Sequence, residues 1–124
     1  MRPRVLVVDD EAIVADNLQA FFEDEDMEVQ SVGSGEEALR IARAEAGFHV
    51  CIMDLRLPGM DGCQTIIELH KVSPTLRFVI HTGSTHYTLP EELRAIGVTD
   101  SHLFVKPVLD MGQLAEQVRR LSSR

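Results

Sequence analysis

The chain has no tryptophan, one tyrosine and two cysteines in 124 residues, and these shortages close off several classes of protein. Cys51 and Cys63 are too few and too far apart for a zinc knuckle or a CxxC redox pair, and neither stands near another soft ligand in sequence. Both read as small buried apolar residues in a reducing compartment. Positive charge is also scarce. Twelve Lys and Arg against twenty Asp and Glu leave a net charge of −8, which disfavours nucleic acid and anionic membrane as direct partners. No run approaches the ~20 apolar residues of a membrane span. Met1-Arg2-Pro3-Arg4 is basic, but the apolar run after it is too short for a signal peptide, so the expected location is cytoplasmic. The length suits one domain over residues 1–124, large enough for a real core.

The apolar residues fall in short runs that alternate between strand and helix periods. Val5-Leu6-Val7-Val8 suits a parallel strand covered on both faces. From Glu11 to about Glu25, the positions of Val14, Leu18, Phe21 and Phe22 form one helical stripe, and the acidic run Glu23-Asp24-Glu25-Asp26 reads as its solvated end. A strand over about 28–32 precedes Ser34-Gly35-Glu36-Glu37, a capping-box pattern that opens a helix running to about Ala46 and stopping at Gly47. Val50-Cys51-Ile52-Met53 is a third strand, and Cys63, Ile66, Ile67 and His70 take helical spacing until Pro74. Leu76 to Thr82 reads as a fourth strand. Thr88-Leu89-Pro90-Glu91 predicts a second capping box with proline in the first turn. The short helix it opens carries Leu89, Leu93 and Ile96 on one face and ends at Gly97. A fifth strand at about 103–105 is followed by Asp110, which caps a last helix with Met111, Leu114, Ala115, Val118 and Leu121 on one stripe. Five β/α units predict a doubly wound α/β fold, a five-stranded parallel sheet with helices on both faces.

The strand C-termini carry the chemistry. Asp9 and Asp10 follow the first strand, Asp54 the third, Thr82 the fourth and Lys106 the fifth, and in a parallel sheet these ends lie on one edge. Three carboxylates there suit a hard cation such as Mg²⁺, which takes carboxylates, water and phosphate oxygens. The cation, Lys106 and the Thr82 hydroxyl would surround a phosphoryl group on Asp54, with Asp54 as nucleophile.

With Val7-Val8-Asp9-Asp10-Glu11, Asp54-Leu55-Arg56-Leu57-Pro58-Gly59-Met60-Asp61-Gly62, Thr82-Gly83 and Lys106-Pro107 in this order, the chain resembles the receiver domain of two-component response regulators over its whole length. The resemblance implies a flavodoxin-like (βα)5 fold. It also implies Mg²⁺-dependent phosphorylation of Asp54 by a sensor histidine kinase or phosphotransfer protein. Asp9, Asp10, Asp54 and the backbone carbonyl of Arg56 would hold the metal, while Thr82 and Lys106 would contact the phosphoryl oxygens. The Lys106–Pro107 bond would be cis. Such a domain is a phosphoacceptor rather than an enzyme acting on other substrates. It would signal to a downstream protein or a C-terminal output domain, with phosphorylation-dependent homodimerisation as a further option.

Three features depart from the family pattern. Leu103 stands where Tyr or Phe is usual, with Phe104 one residue off and hence on the opposite strand face. The segment from Gly97 to Lys106 is about two residues long for the family, and the fourth helix is short and starts late, after Gly83-Ser84-Thr85-His86-Tyr87. Tyr87 is expected to be a surface or edge contact, with a part in the switch as the alternative. Gly33-Ser34-Gly35-Glu36-Glu37-Ala38 fits GxGxxA but follows the second strand, so a turn and helix cap is the expected role. His49, His70, His81, His86 and His102 have no metal-binding spacing. The alternative function is a Mg²⁺-dependent phosphohydrolase of haloacid dehalogenase type, which expects a DxD pair in place of Asp9-Asp10.

Overall fold

The computed structural model describes residues 2–83, 87–106, 108 and 110–123. Strands β1 (Arg4–Val8), β2 (Glu28–Val32), β3 (Val50–Met53), β4 (Arg77–Thr82) and β5 (Leu103–Val105) alternate with helices α1 (Ala12–Asp24), α2 (Gly35–Ala44), α3 (Gly62–Val72), α4 (Glu91–Ala95) and α5 (Met111–Ser122). The sheet is parallel throughout, in the order β2-β1-β3-β4-β5. After β2 the chain crosses back over β1 to lay down β3. The strand order therefore reverses at β1 and β3, where the first two acidic segments emerge.

Pleat alternation divides the core in two. Leu6, Val8, Cys51, Met53, Phe78 and Ile80 pack against α2, α3 and α4, whereas Val5, Val7, Val50, Ile52 and Val79 pack against α1 and α5. The central strands are buried on both faces, which explains their uninterrupted apolar sequence. Among the described residues no helix is long and apolar enough to cross a membrane. Cys51 is buried, and burial pushes its thiol pKa up. Cys63 is only half-buried, resting on the α2/α3/α4 side of the core.

The helix starts follow local chemistry with one correction. Ser34 accepts from the Glu37 N–H at 3.1 Å and Asp110 from the Gln113 N–H at 3.2 Å, as their sequence positions predict. Asp61 caps α3 in the same way through the Gln64 N–H at 2.8 Å. Thr88 does not cap α4: it is exposed, and Pro90 holds the cap position with an extended ψ of 152° and no side-chain bond. Leu89 is drawn into the core ahead of the helix, so the chain stays extended through Pro90. The extra length before β5 is taken up by a 3₁₀ turn, Asp100–His102, in which the buried His102 Nδ1 accepts from the Thr99 N–H at 3.1 Å. Gly97, at φ +102°, occupies the left-handed region after α4 that favours glycine.

Candidate functional site

Asp9 and Asp54 continue β1 and β3 by one residue: the Asp9 N–H donates to the Val32 carbonyl at 3.1 Å and the Asp54 N–H to the Val8 carbonyl at 2.9 Å. Both side chains are almost fully buried. In each carboxylate one oxygen is fixed locally. Asp9 Oδ1 accepts from the Glu11 N–H at 2.9 Å and Asp54 Oδ1 from the Arg56 N–H at 3.2 Å, the two-residue turn that Asp commonly makes. The other oxygens share one cation. Lys106 Nζ stands 3.0 Å from Asp9 Oδ2, 3.2 Å from Asp54 Oδ2 and 3.5 Å from Glu11 Oε1.

These contacts set the electrostatics. Burial pushes the Asp54 carboxyl above its ordinary pKa, helped by the Asp9 charge and opposed by the Arg56 N–H and Lys106. Burial alone would lower the pKa of Lys106, but bonds and charges from Asp9 and Asp54 outweigh it and hold the ammonium above its usual value. Lys106 therefore stays protonated as counter-ion to a carboxylate less willing than usual to ionise. Thr82, buried at the end of β4, accepts the Lys106 N–H at its carbonyl at 2.7 Å, which ties the ends of β4 and β5 together. Pro107, and with it the expected cis bond, lies outside the described residues.

The loop after Asp54 is held from two sides. Glu36, at the start of α2, accepts from the Met60 N–H at 3.2 Å, beside Gly59 at φ +72°. Gly62 opens α3 directly against the Asp54 carbonyl and the Leu55 Cα, where a Cβ would collide with backbone. That close approach folds the turn back beneath the site.

Three of the side chains named from sequence thus converge, Asp9, Asp54 and Lys106, and Thr82 is tied to Lys106 through its backbone carbonyl. Arg56 joins through its backbone. Asp10 is exposed and lies outside the acidic cluster, whose three carboxylates come from Asp9, Glu11 and Asp54, each with an oxygen within 4.8 Å of the others. Glu11, the third acid of the Asp9-Asp10-Glu11 string, is the member of this cluster that the family motif does not single out. Its acidity was the available signal.

The chain belongs to the response regulator receiver domain family, which it matches over residues 5–119. It is similar to sporulation initiation phosphotransferase F of Bacillus subtilis, 26% identical over 97% of this chain and 94% of that one. It also resembles the uncharacterized transcriptional regulatory protein YesN of Bacillus subtilis, 31% identical over 84% of this chain but only 28% of the relative's length. Likewise it spans 27% of a protein-glutamate methylesterase/protein-glutamine glutaminase from Rhodospirillum rubrum. Among solved structures, the response regulator TrrA of Thermotoga maritima, in complex with Mg(2+)-BeF, superposes with a TM-score of 0.81 at 27% identity, covering 96% of this chain and 98% of that one. The chain is therefore a receiver module of two-component signalling. The family match displaces the phosphohydrolase alternative.

Proposed function

We propose that Asp54 is the phosphoacceptor of this module, taking a phosphoryl group from a sensor histidine kinase or phosphotransfer protein. The carrying observation is the state of its carboxylate, which is buried, pinned at Oδ1 by the Arg56 N–H, and turned at Oδ2 toward Lys106 beside two further acids. A carboxylate presented in this way has one oxygen oriented for attack and a fixed cation near the charge that develops.

The donor set fits Mg²⁺, since clustered carboxylate oxygens are hard ligands and leave room for water and phosphate oxygens. Asp9, Asp54, Asp10 and the Arg56 carbonyl are the proposed ligands, with Glu11 as an additional carboxylate that the geometry favours. Bound there, the ion would neutralise charge on the phosphoryl oxygens. Lys106 would move one of its bonds from carboxylate to phosphoryl oxygen, and the Thr82 hydroxyl would take another. The module would do no chemistry beyond its own phosphorylation and dephosphorylation. It would act by changing its surface for a downstream protein, an output domain or a second copy of itself, without direct nucleic-acid or membrane contact.

The test is incubation with Mg²⁺ and acetyl phosphate or a phosphorylated kinase, followed by intact mass. One phosphoryl group is expected on the wild type and none on Asp54→Asn. Phosphorylation of that variant to the same extent would overturn the assignment. Magnesium titrations of Asp10→Ala and Glu11→Ala would apportion the metal role between these two neighbours.

A further inference from the structure

A row of side chains crosses the sheet at the level of Asp54. The ladder pairs Val8 with Met53, Met53 with Ile80 and Ile80 with Leu103. One residue further along, Asp9, Asp54 and His81 stand side by side, and His81 pairs with Phe104. All four share the face toward α1 and α5. Phe104 packs there, whereas Leu103 packs on the α2/α3/α4 side.

His81 is 5% exposed, and its buried Nδ1 has no hydrogen-bond partner among the described residues. Burial and the nearby Lys106 charge push its pKa down to about 4, so the ring is neutral. Lys106 leaves β5 two residues beyond Phe104, on the same face. Its Nζ nonetheless reaches Asp54 on β3 and Asp9 on β1. Neighbouring strands lie ~4.8 Å apart, so the Lys106 side chain spans the width of β4 close to His81, whose ring feels its charge.

We propose that His81 and Phe104 form a shelf under the Lys106 stem and pass its movement to the groove between β5 and α5. Resting on Asp54 as phosphoacceptor, this gives Phe104, whose ring packs on the sheet face opposite Leu103, a part in the readout at that edge. Three observations make the shelf movable. The Lys106 ammonium is divided among three carboxylates, so a phosphoryl group beyond Asp54 Oδ2 gives it a new partner farther out. Among the described residues no hydrogen bond holds His81 Nδ1 in place. Phe104, only partly buried, lines a groove of about 550 Å³ together with Leu103, Val105, Val108, Asp110 and Gln113, so displacement of its ring changes the shape of an open surface at the sheet edge.

The test uses the full chain with fluorinated phenylalanine, the Phe104 resonance being assigned by its loss in Phe104→Leu. The fluorine signal of bound beryllofluoride reports occupancy at Asp54 independently. With Mg²⁺ and beryllofluoride the Phe104 resonance should shift in the wild type. In His81→Leu the bound beryllofluoride signal should persist while the Phe104 shift is largely lost. His81→Met, unbranched and adaptable, serves the same purpose if the leucine variant does not fold. An unmoved Phe104 resonance in occupied wild type, or an undiminished shift in both variants, would overturn the shelf and leave Asp54 as phosphoacceptor untouched. Failure of the wild type to bind beryllofluoride would overturn both readings together.

Discussion

Lys106 holds Asp9, Glu11 and Asp54 with one ammonium group, and its side chain is only 16% exposed. Replacing it by methionine leaves two buried carboxylates facing each other. Removing one partner of a buried ion pair costs ~3–5 kcal/mol, and the lower end is expected here because Glu11 is solvated. Added Mg²⁺ should restore more of the thermal stability of Lys106→Met than it adds to wild type, since the ion supplies the missing positive charge. Equal thermal shifts in the two proteins would count against Lys106 as the resident counter-ion. The raised Lys106 pKa has a definite sign as well. Its stabilising contribution is complete below about pH 10, near the ordinary lysine value, and is lost as pH rises through the higher folded value.

His81 works in the opposite direction. Its folded pKa of about 4 lies below the unfolded value, so the unfolded chain binds the extra proton between about pH 6.5 and 4. Stability should fall as pH drops through that window, with a slope for this group approaching ~1.4 kcal/mol per pH unit. His81→Leu should remove that part of the slope and be at least as stable as wild type at pH 7, because a buried nitrogen with no partner among the described residues disappears. Denaturant midpoints at pH 7 and pH 5 measure both effects. An identical pH slope in the two proteins would contradict the buried neutral imidazole.

At the scale of elements, the turn from β3 into α3 sets the site most directly. A methyl group on Gly62 would meet the Asp54 carbonyl and Leu55 backbone, neither of which can swing aside. Gly62→Ala should therefore cost ~1–3 kcal/mol by overpacking and weaken magnesium binding along with stability. Retained affinity in a destabilised variant would mean that the turn supports the fold but does not place the acid. Asp110→Ala, at the cap of α5, should cost about 1 kcal/mol and leave metal affinity unchanged, since that helix end lies outside the carboxylate cluster. The pair separates general destabilisation from loss of site geometry.

At the scale of the whole molecule, two buried acids stand where the strand order reverses. Asp9 and Asp54 stand on adjacent strands β1 and β3, with Lys106 reaching across from the sheet edge. A ligand bound there touches segments from the beginning, middle and end of the chain, so its binding energy stabilises the entire domain. Mg²⁺ at one hundred times its dissociation constant should add ~2.7 kcal/mol to unfolding in a single calorimetric transition. Asp54→Asn should show a smaller gain at the same concentration. An equal gain would place the stabilising ion elsewhere on this acidic surface.

The sequence alone determined the periodicities and the chemistry of the strand ends. Val5 to Val8 and Val50 to Met53 are apolar without interruption because both sheet faces are covered, and an acid directly after such a run must lie at its rim. The same logic fixed Lys106 after β5, the caps at Ser34 and Asp110, and the opposite facing of Leu103 and Phe104. Other features depended on contacts between distant segments. Thr88 has the chemistry of a cap, yet burial of Leu89 moves the start of α4 past Pro90, a choice made by the core rather than by local propensity. Asp10 and Glu11 are both exposed acids after β1, and only the folded backbone brings a Glu11 oxygen within 4.8 Å of those of Asp9 and Asp54. His81 carries no motif. Its place beside Asp54 follows from strand register, which is set by the packing of the whole sheet.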